Sequence, residues 1–266
     1  MQITYVNELN DNLIKTALNL SQASYCVDNK NIWDCATCTD DNILYNVIEN
    51  HSERVLVGYN NKYNSIFISF RGSSNILNWI DNIQISKIYP YPEFQNIGVE
   101  KGFYKAYKYL DNDIYNNIIN LSAKYNTINL IITGHSLGAA IATLLSFDII
   151  NSKLYDKYNI MSLITFGSPR VGNQEFVNLF NQYDINSKRI THYYDVVPHV
   201  PEEFLKYVHI SQEIWYNEDN TYYTICNDRD NKEDITCSDS CAPIHCTSTN
   251  DHLHYLNVSM GSSGDC

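Results

Sequence analysis

Two short stretches of this chain carry residue types that could perform acyl transfer. The first is G-H-S-L-G, from Gly134 to Gly138, which sets Ser136 between two glycines. An apolar β-type run, Ile128 to Thr133, leads into it, and a helical run rich in small residues, Gly138 to Ile150, leads out. Strand, G-x-S-x-G turn and helix together make a nucleophile elbow, in which the turn pushes the serine hydroxyl above the strand ends. Gly134 and Gly138 let strand and helix approach closely, and Ala139, Ala140 and Ala142 let that helix pack tightly. The helix starts behind Ser136, so its dipole favours negative charge there. The backbone N–H of Leu137 is the first expected oxyanion donor.

The second stretch, S-T-N-D-H-L-H-Y-L, lies near the end of the chain and offers His252 and His254. A serine nucleophile on an elbow is followed in the chain by its acid and then by its histidine. Asp195, in T-H-Y-Y-D-V-V-P-H-V-P, sits at the end of a later strand, with Pro198 and Pro201 stiffening its loop. Asp148 falls inside the helix after Ser136 and Asp184 in a loop before a strand, and both are expected to face solvent. Asp251 adjoins His252, and adjacent side chains diverge, so it is a poor orienting partner. Among the later histidines, His199 is too near the acid in sequence, His209 reads as a structural hydrogen-bonder, and His245 lies among cysteines. Local reasoning leaves both His252 and His254 open as the base.

Such residues need a scaffold. Short apolar strands at Ser65–Phe70, Ile128–Thr133, Met161–Phe166 and Arg189–Tyr194 alternate with helical patterns at Gly102–Lys124 and Gly138–Ile150. That alternation predicts a mostly parallel sheet flanked by helices, preceded by an amphipathic helix over Asn10–Tyr25. The 266 residues, 44% hydrophobic, suffice for one α/β domain spanning 1–266. No apolar run is long enough for a membrane span, and no signal-peptide pattern is visible. A net charge of −12 argues against nucleic acid and against anionic lipid as an electrostatic partner.

All eight cysteines lie toward the two ends of the chain, in polar segments. An even count so placed predicts disulfides and hence a secreted protein. The rival is zinc, with Cys35 and Cys38 as one knuckle and Cys241, His245 and Cys246 as possible partners, but a matching second knuckle is missing. Sequons at Asn19, Asn50, Asn120 and Asn257 agree with secretion. After Ser73, the residues Ile76, Trp79, Ile80 and Ile83 recur at helical spacing, so a short helix there has one apolar face.

F-R-G-S, G-H-S-L-G-A-A, F-G-S-P-R-V-G-N, R-I-T-H-Y-Y-D-V-V-P-H-V-P and D-H-L-H-Y-L, in this order, resemble the class 3 (fungal-type) triacylglycerol lipase family. The resemblance runs from about Asn10 to Leu256 and is weakest between Tyr216 and Thr249. It implies an α/β-hydrolase fold, with Ser136 as nucleophile, Asp195 as acid and His252, the residue after the Asp of D-H-L-x-Y, as base. It places the second oxyanion donor at Ser73, beside Leu137. It further implies a lid bearing Ile76, Trp79, Ile80 and Ile83, and disulfides Cys26–Cys266 and Cys35–Cys38. The implied activity is hydrolysis of triacylglycerols at a lipid–water interface by a secreted monomer, with no metal or organic cofactor. Feruloyl esterases and phospholipases A1 share this fold and triad, and a binding protein that has lost catalysis is a further alternative. Three departures stand out: Glu100 where many members carry histidine, no cysteine pair between Tyr89 and Gly102, and an insertion with Cys226, Cys237, Cys241 and Cys246.

Overall fold

β-Branched and aromatic runs become the strands of one sheet, and segments with helical spacing cover its two faces. The computed structural model describes residues 3–5, 12–28, 30, 32–81, 85–152, 156–228, 232–242 and 244–266. The chain begins with β1 (Ile3–Tyr5), α1 (Asn12–Cys26), β2 (Asn42–Asn50), β3 (Glu53–Asn60), β4 (Ser65–Phe70) and α2 (Ile76–Asp81). Then come β5 (Lys87–Ile88), β6 (Val99–Glu100), α3 (Lys101–Lys108), α4 (Asp111–Tyr125), β7 (Asn129–His135) and α5 (Leu137–Asn151). β8 (Asn159–Phe166), α6 (Gln174–Phe180), β9 (Ser187–His192), β10 (Glu213–Tyr216) and β11 (Tyr222–Ile225) follow. The last elements are α7 (Thr249–His252), β12 (His254–Tyr255) and β13 (Val258–Ser259).

Among the described residues the main sheet has nine strands in the order β1-β11-β10-β9-β8-β7-β4-β3-β2. β4, β7, β8, β9 and β10 run parallel, and antiparallel strands flank them on both sides. Parallel strands covered on both faces read as continuous apolar runs, and β4 is buried at every position. Its residues divide by face: Ile66, Ile68 and Phe70 join the core with α3, α4 and α5, whereas Phe67 packs with Leu20 and Ala23 of α1. α5 is buried almost throughout, as its mostly apolar sequence requires. The carboxyl ends of β4, β7, β8 and β9 gather at one edge, where an open α/β sheet holds its ligand.

Two sequence expectations change. The single helix expected over Gly102–Lys124 is divided into α3 and α4 at Tyr109–Leu110. Asp111, Asn112 and Asp113 favour a fresh helix start, with Asp111 Oδ1 accepting the Asn112 N–H at 2.7 Å. The N-terminal region, where the sequence patterns singled out no strand before Ser65, contains the β2–β3 hairpin that widens the sheet.

All eight cysteines are paired, as Cys26–Cys266, Cys35–Cys38, Cys226–Cys237 and Cys241–Cys246. Cys26–Cys266 joins the end of α1 to the chain terminus across 240 residues. Closing so long a loop stabilises the fold by about 5 kcal/mol on the chain-entropy model. The Gln22 amide strengthens that junction, donating to the Gly261 carbonyl at 3.1 Å and accepting the Gly261 N–H at 2.9 Å. Cys241 and Cys246 lie within ligand distance of His199, but their sulfurs are bonded to each other and offer no thiolates.

Candidate active site

Ser136 occupies the turn between β7 and α5 with φ 61° and ψ −129°, a conformation costing a non-glycine residue roughly 1–3 kcal/mol. Its neighbours hold it there, since the Ser136 N–H donates to the Phe166 carbonyl at 3.0 Å and Ala139 N–H returns to the Ser136 carbonyl at 2.9 Å. The side chain is fully buried, and among the described residues its Oγ has no hydrogen-bond partner. A buried hydroxyl left unpaired costs about 1–3 kcal/mol, so packing does not account for a serine at this position.

Asp195 and His252, 57 residues apart, meet at 2.8 Å between Oδ2 and Nδ1, and both are buried. Burial by itself would raise the Asp195 carboxyl. The His252 ring, the Tyr255 hydroxyl and the Val197 N–H (2.8 Å) outweigh burial and hold it below the usual carboxylate range. An ionised carboxylate can only accept, so Nδ1 carries the His252 proton and Nε2 presents its lone pair. That Nε2 is buried and, like Ser136 Oγ, has no hydrogen-bond partner among the described residues. Two unpaired groups, a hydroxyl and an imidazole acceptor, are the halves of a proton transfer; such bonds often tighten only when substrate is bound.

The loops carrying Asp195 and His252 are stitched together by Ser248. Its N–H donates to the Tyr194 carbonyl at 3.0 Å, and its carbonyl accepts the Val196 N–H at 3.2 Å. Its hydroxyl caps α7 by accepting the Asp251 N–H at 3.0 Å. Asp251 braces the same junction, its carboxylate accepting the Tyr194 N–H at 3.3 Å and its carbonyl bonding His192 at 2.9 Å. His254 turns away and bonds the Asn250 carbonyl at 2.9 Å through Nδ1. Gly167, after β8, has φ +55°, and a Cβ there would lie 2.8 Å from both Cε1 and Nδ1 of His252. Glycine leaves room for that ring.

His135, next to Ser136, is a residue that the sequence motifs did not single out. Its ring stacks on His252 with centroids 4.5 Å apart, and its Nε2 donates to the His252 carbonyl at 2.8 Å. Nδ1 therefore accepts from Tyr25 of α1, at 2.8 Å. The Tyr25 oxygen in turn takes the Gly72 N–H, so α1 is tied to the loop after β4. A Cβ at Gly72 would lie 2.9 Å from that of Ser136, which puts this loop against the nucleophile candidate. Ser73 follows directly, with its hydroxyl bonded to the Asn75 carbonyl at 3.1 Å. Leu137 opens α5, where the first N–H groups have no acceptor within the helix.

α2 starts at Ile76, and the Asn75 side chain accepts the Asn78 N–H at 3.1 Å. Ile76, Trp79 and Ile80 are half-buried, and the Trp79 ring lies 6.0 Å from that of Phe103. Ile83 lies outside the described residues. Of the rival acids, Asp184 is exposed as expected. Asp148 is not solvent-facing: it accepts the Tyr107 hydroxyl at 2.7 Å near the far end of α5 from Ser136, because Tyr107 of α3 packs over it. His245 is exposed, and His209 Nε2 donates to the Pro198 carbonyl at 2.7 Å. Glu100 caps α3, accepting the Phe103 N–H at 2.7 Å.

Burial, with the neighbouring His252, pushes His135 down to about 3. Burial and Arg170 push His199 down to about 4, and burial and Arg189 push His209 well below its ordinary value. These rings stay neutral in the folded chain while the unfolded chain protonates them around 6.5. Stability therefore falls as pH drops below about 6.5, by up to about 1.4 kcal/mol per pH unit for each ring, with the loss from His135 continuing to about 3. The urea midpoint should be lower at pH 5 than at pH 7. His135→Gln should flatten that slope by about 1.4 kcal/mol per unit, and an unchanged slope would show that His135 does not titrate this way.

Residues 67–205 match the family model for class 3 lipase. The lipase of Rhizomucor miehei is 31% identical over 248 residues, covering 91% of this chain and 67% of that sequence. The lipase of Rhizopus niveus is 30% identical over 252 residues, covering 91% of this chain and 62% of that sequence. The chain thus spans about two thirds of the length of these relatives. The solved structure of Rhizomucor miehei triacylglyceride lipase superposes with a TM-score of 0.88 at 28% identity, covering 98% of this chain and 99% of that one. By motif order, sequence identity and strand topology, this chain belongs to the class 3 lipase family and has its α/β-hydrolase fold.

Proposed function

We propose that the protein is a secreted, monomeric serine carboxylic ester hydrolase that cleaves triacylglycerols through an acyl-enzyme. The observation that carries the reading is the pair of buried, unpartnered groups, Ser136 Oγ and His252 Nε2, with His252 fixed from behind by Asp195. In the forward step His252 Nε2 takes the Ser136 proton as Oγ attacks the ester carbonyl. The N–H groups of Ser73 and Leu137 receive the developing oxyanion, and the Asp195 carboxylate stabilises the imidazolium. The imidazolium protonates the departing alcohol. Water, deprotonated by the same ring, then releases the fatty acid and restores Ser136.

Ser136 and His252 are fully buried, so an acyl chain enters only after a covering segment moves. The α2 segment is suited to that part: it begins three residues after Ser73 and carries Trp79 on a face that water disfavours. Opened at a lipid surface, that face exchanges its protein contacts for acyl chains. Kinetics on four substrates test the assignment: a soluble short-chain ester, emulsified long-chain triacylglycerol, phospholipid micelles and methyl ferulate. Triacylglycerol hydrolysis should rise sharply once the substrate passes its solubility limit. Highest activity on methyl ferulate, with no response to a surface, would overturn both substrate and lid, and highest activity on phospholipid would mark a phospholipase.

A further inference from the structure

The loop that follows Asp195 is held from outside at four consecutive carbonyls. His209 Nε2 donates to the Pro198 carbonyl at 2.7 Å. Arg170, from the S-P-R-V-G-N motif after β8, takes the other three. Its Nη1 donates to the carbonyls of His199 (2.8 Å) and Pro201 (3.1 Å), and its backbone N–H to that of Val200 (3.0 Å). The rest of its guanidinium is clamped by Glu233, with Nε to Oε1 at 2.6 Å and Nη2 to Oε2 at 2.7 Å. The two side chains are 3% and 7% exposed. Among the described residues, every hydrogen bond of the Arg170 side chain goes to Glu233 or to this loop.

Glu233 comes from the cysteine-bearing insertion that distinguishes this sequence from the family pattern. Its segment is closed by Cys226–Cys237 and knitted by Asp234, whose carboxylate accepts the N–H groups of Asn227 (2.8 Å) and Thr236 (2.9 Å). The next segment adds Asp239, 3.9 Å from Arg170 Nη2 and 3.8 Å from His199 Nδ1. Burial would raise the Glu233 carboxyl, but the Arg170 guanidinium, by its charge and its two hydrogen bonds, outweighs burial and Glu233 is held at about 2, so it stays charged. A bidentate carboxylate fixes the plane of a guanidinium, and the position of Nη1 then sets the loop.

We infer that Glu233 is a positioning residue for ester hydrolysis, acting through Arg170 on the loop that presents Asp195 to His252. The same loop supplies the Val197 N–H to Asp195 Oδ1, so a shift of the loop moves the acid and one of its donors together. The insertion thus supports the acid from behind. The inference rests on the ester-hydrolase reading, and hydrolysis by the wild-type chain checks that reading first.

The test measures kcat and KM on a soluble short-chain ester, with active sites counted by a phosphonate titrant so that unfolded molecules drop out. Glu233→Gln keeps the shape and removes the charge; kcat per titrated site should fall about tenfold or more with KM unchanged, because substrate does not touch Glu233. Arg170→Lys, which keeps the charge but loses the fork, should show the same split. The double variant should be no worse than the poorer single one, since both changes act through one contact. Cys226→Ser with Cys237→Ser loosens the segment without altering Glu233, and should lower kcat in the same direction if the Gln variant yields too little folded protein. Wild-type kcat per titrated site in the Gln variant or in the disulfide-free variant, an effect confined to KM, or losses that multiply in the double variant would overturn the inference.

Discussion

Ser136→Ala is expected to lower kcat on a soluble ester by about 10⁴- to 10⁶-fold, the scale seen when a nucleophile that acts as one unit with its base is removed. The oxyanion donors and His252 would remain, and they leave a residual rate above that of water. The same change should not cost stability. Ser136 Oγ is buried without a partner, so removing it relieves about 1 kcal/mol or more of unpaired polar burial, and alanine meets the same positive φ as serine. Loss of activity with an unchanged or higher Tm is therefore the expected signature, as at other strained sites kept for function. Ester hydrolysis at the wild-type rate by this variant would sink the proposed mechanism.

The second large effect separates two histidines one residue apart. His252→Ala should abolish turnover on a similar scale, about 10⁴-fold or more, because base and imidazolium vanish together. His254→Ala should leave most of the activity, since among the described residues its ring bonds only the nearby Asn250 carbonyl, and it is not fully buried. The two should differ in stability too. Asp195 without His252 retains the Tyr255 hydroxyl and the Val197 N–H, but a buried carboxylate then loses its largest compensation, at a cost of a few kcal/mol. Kinetics and thermal unfolding of both variants check this; inactivity of the His254 variant with a wild-type Tm would mean that the register of α7 and β12 is misassigned.

The elbow was legible in the sequence because its signal is local. A strand, a glycine-flanked serine and a small-residue helix succeed one another within about two dozen residues, and the backbone strain at Ser136 follows from that turn. Asp195 was likewise legible as a candidate, since it follows the end of β9 at His192 by three residues and so lies at the sheet edge. The disulfides were legible from placement, because an even set of cysteines in polar segments reads as paired.

Other features needed the tertiary structure. From sequence spacing, His252 and His254 are equivalent; the Ser248 cap on α7 and the β12–β13 pairing turn one ring toward Asp195 and the other toward Asn250. Periodicity over Gly102–Lys124 ran through a break that Asp111 and its neighbours impose. The stacking of His135 on His252 joins residues 117 apart, and the Arg170–Glu233 clamp joins residues 63 apart. Nothing in either local sequence specifies its partner. The sequence by itself determined the serine turn and the strand ends that carry the candidate groups, because those depend on bonds and turns between near neighbours. Only the tertiary structure decided which histidine faces the acid and what braces the acid loop, because those depend on burial and on hydrogen bonds between segments that folding alone brings together.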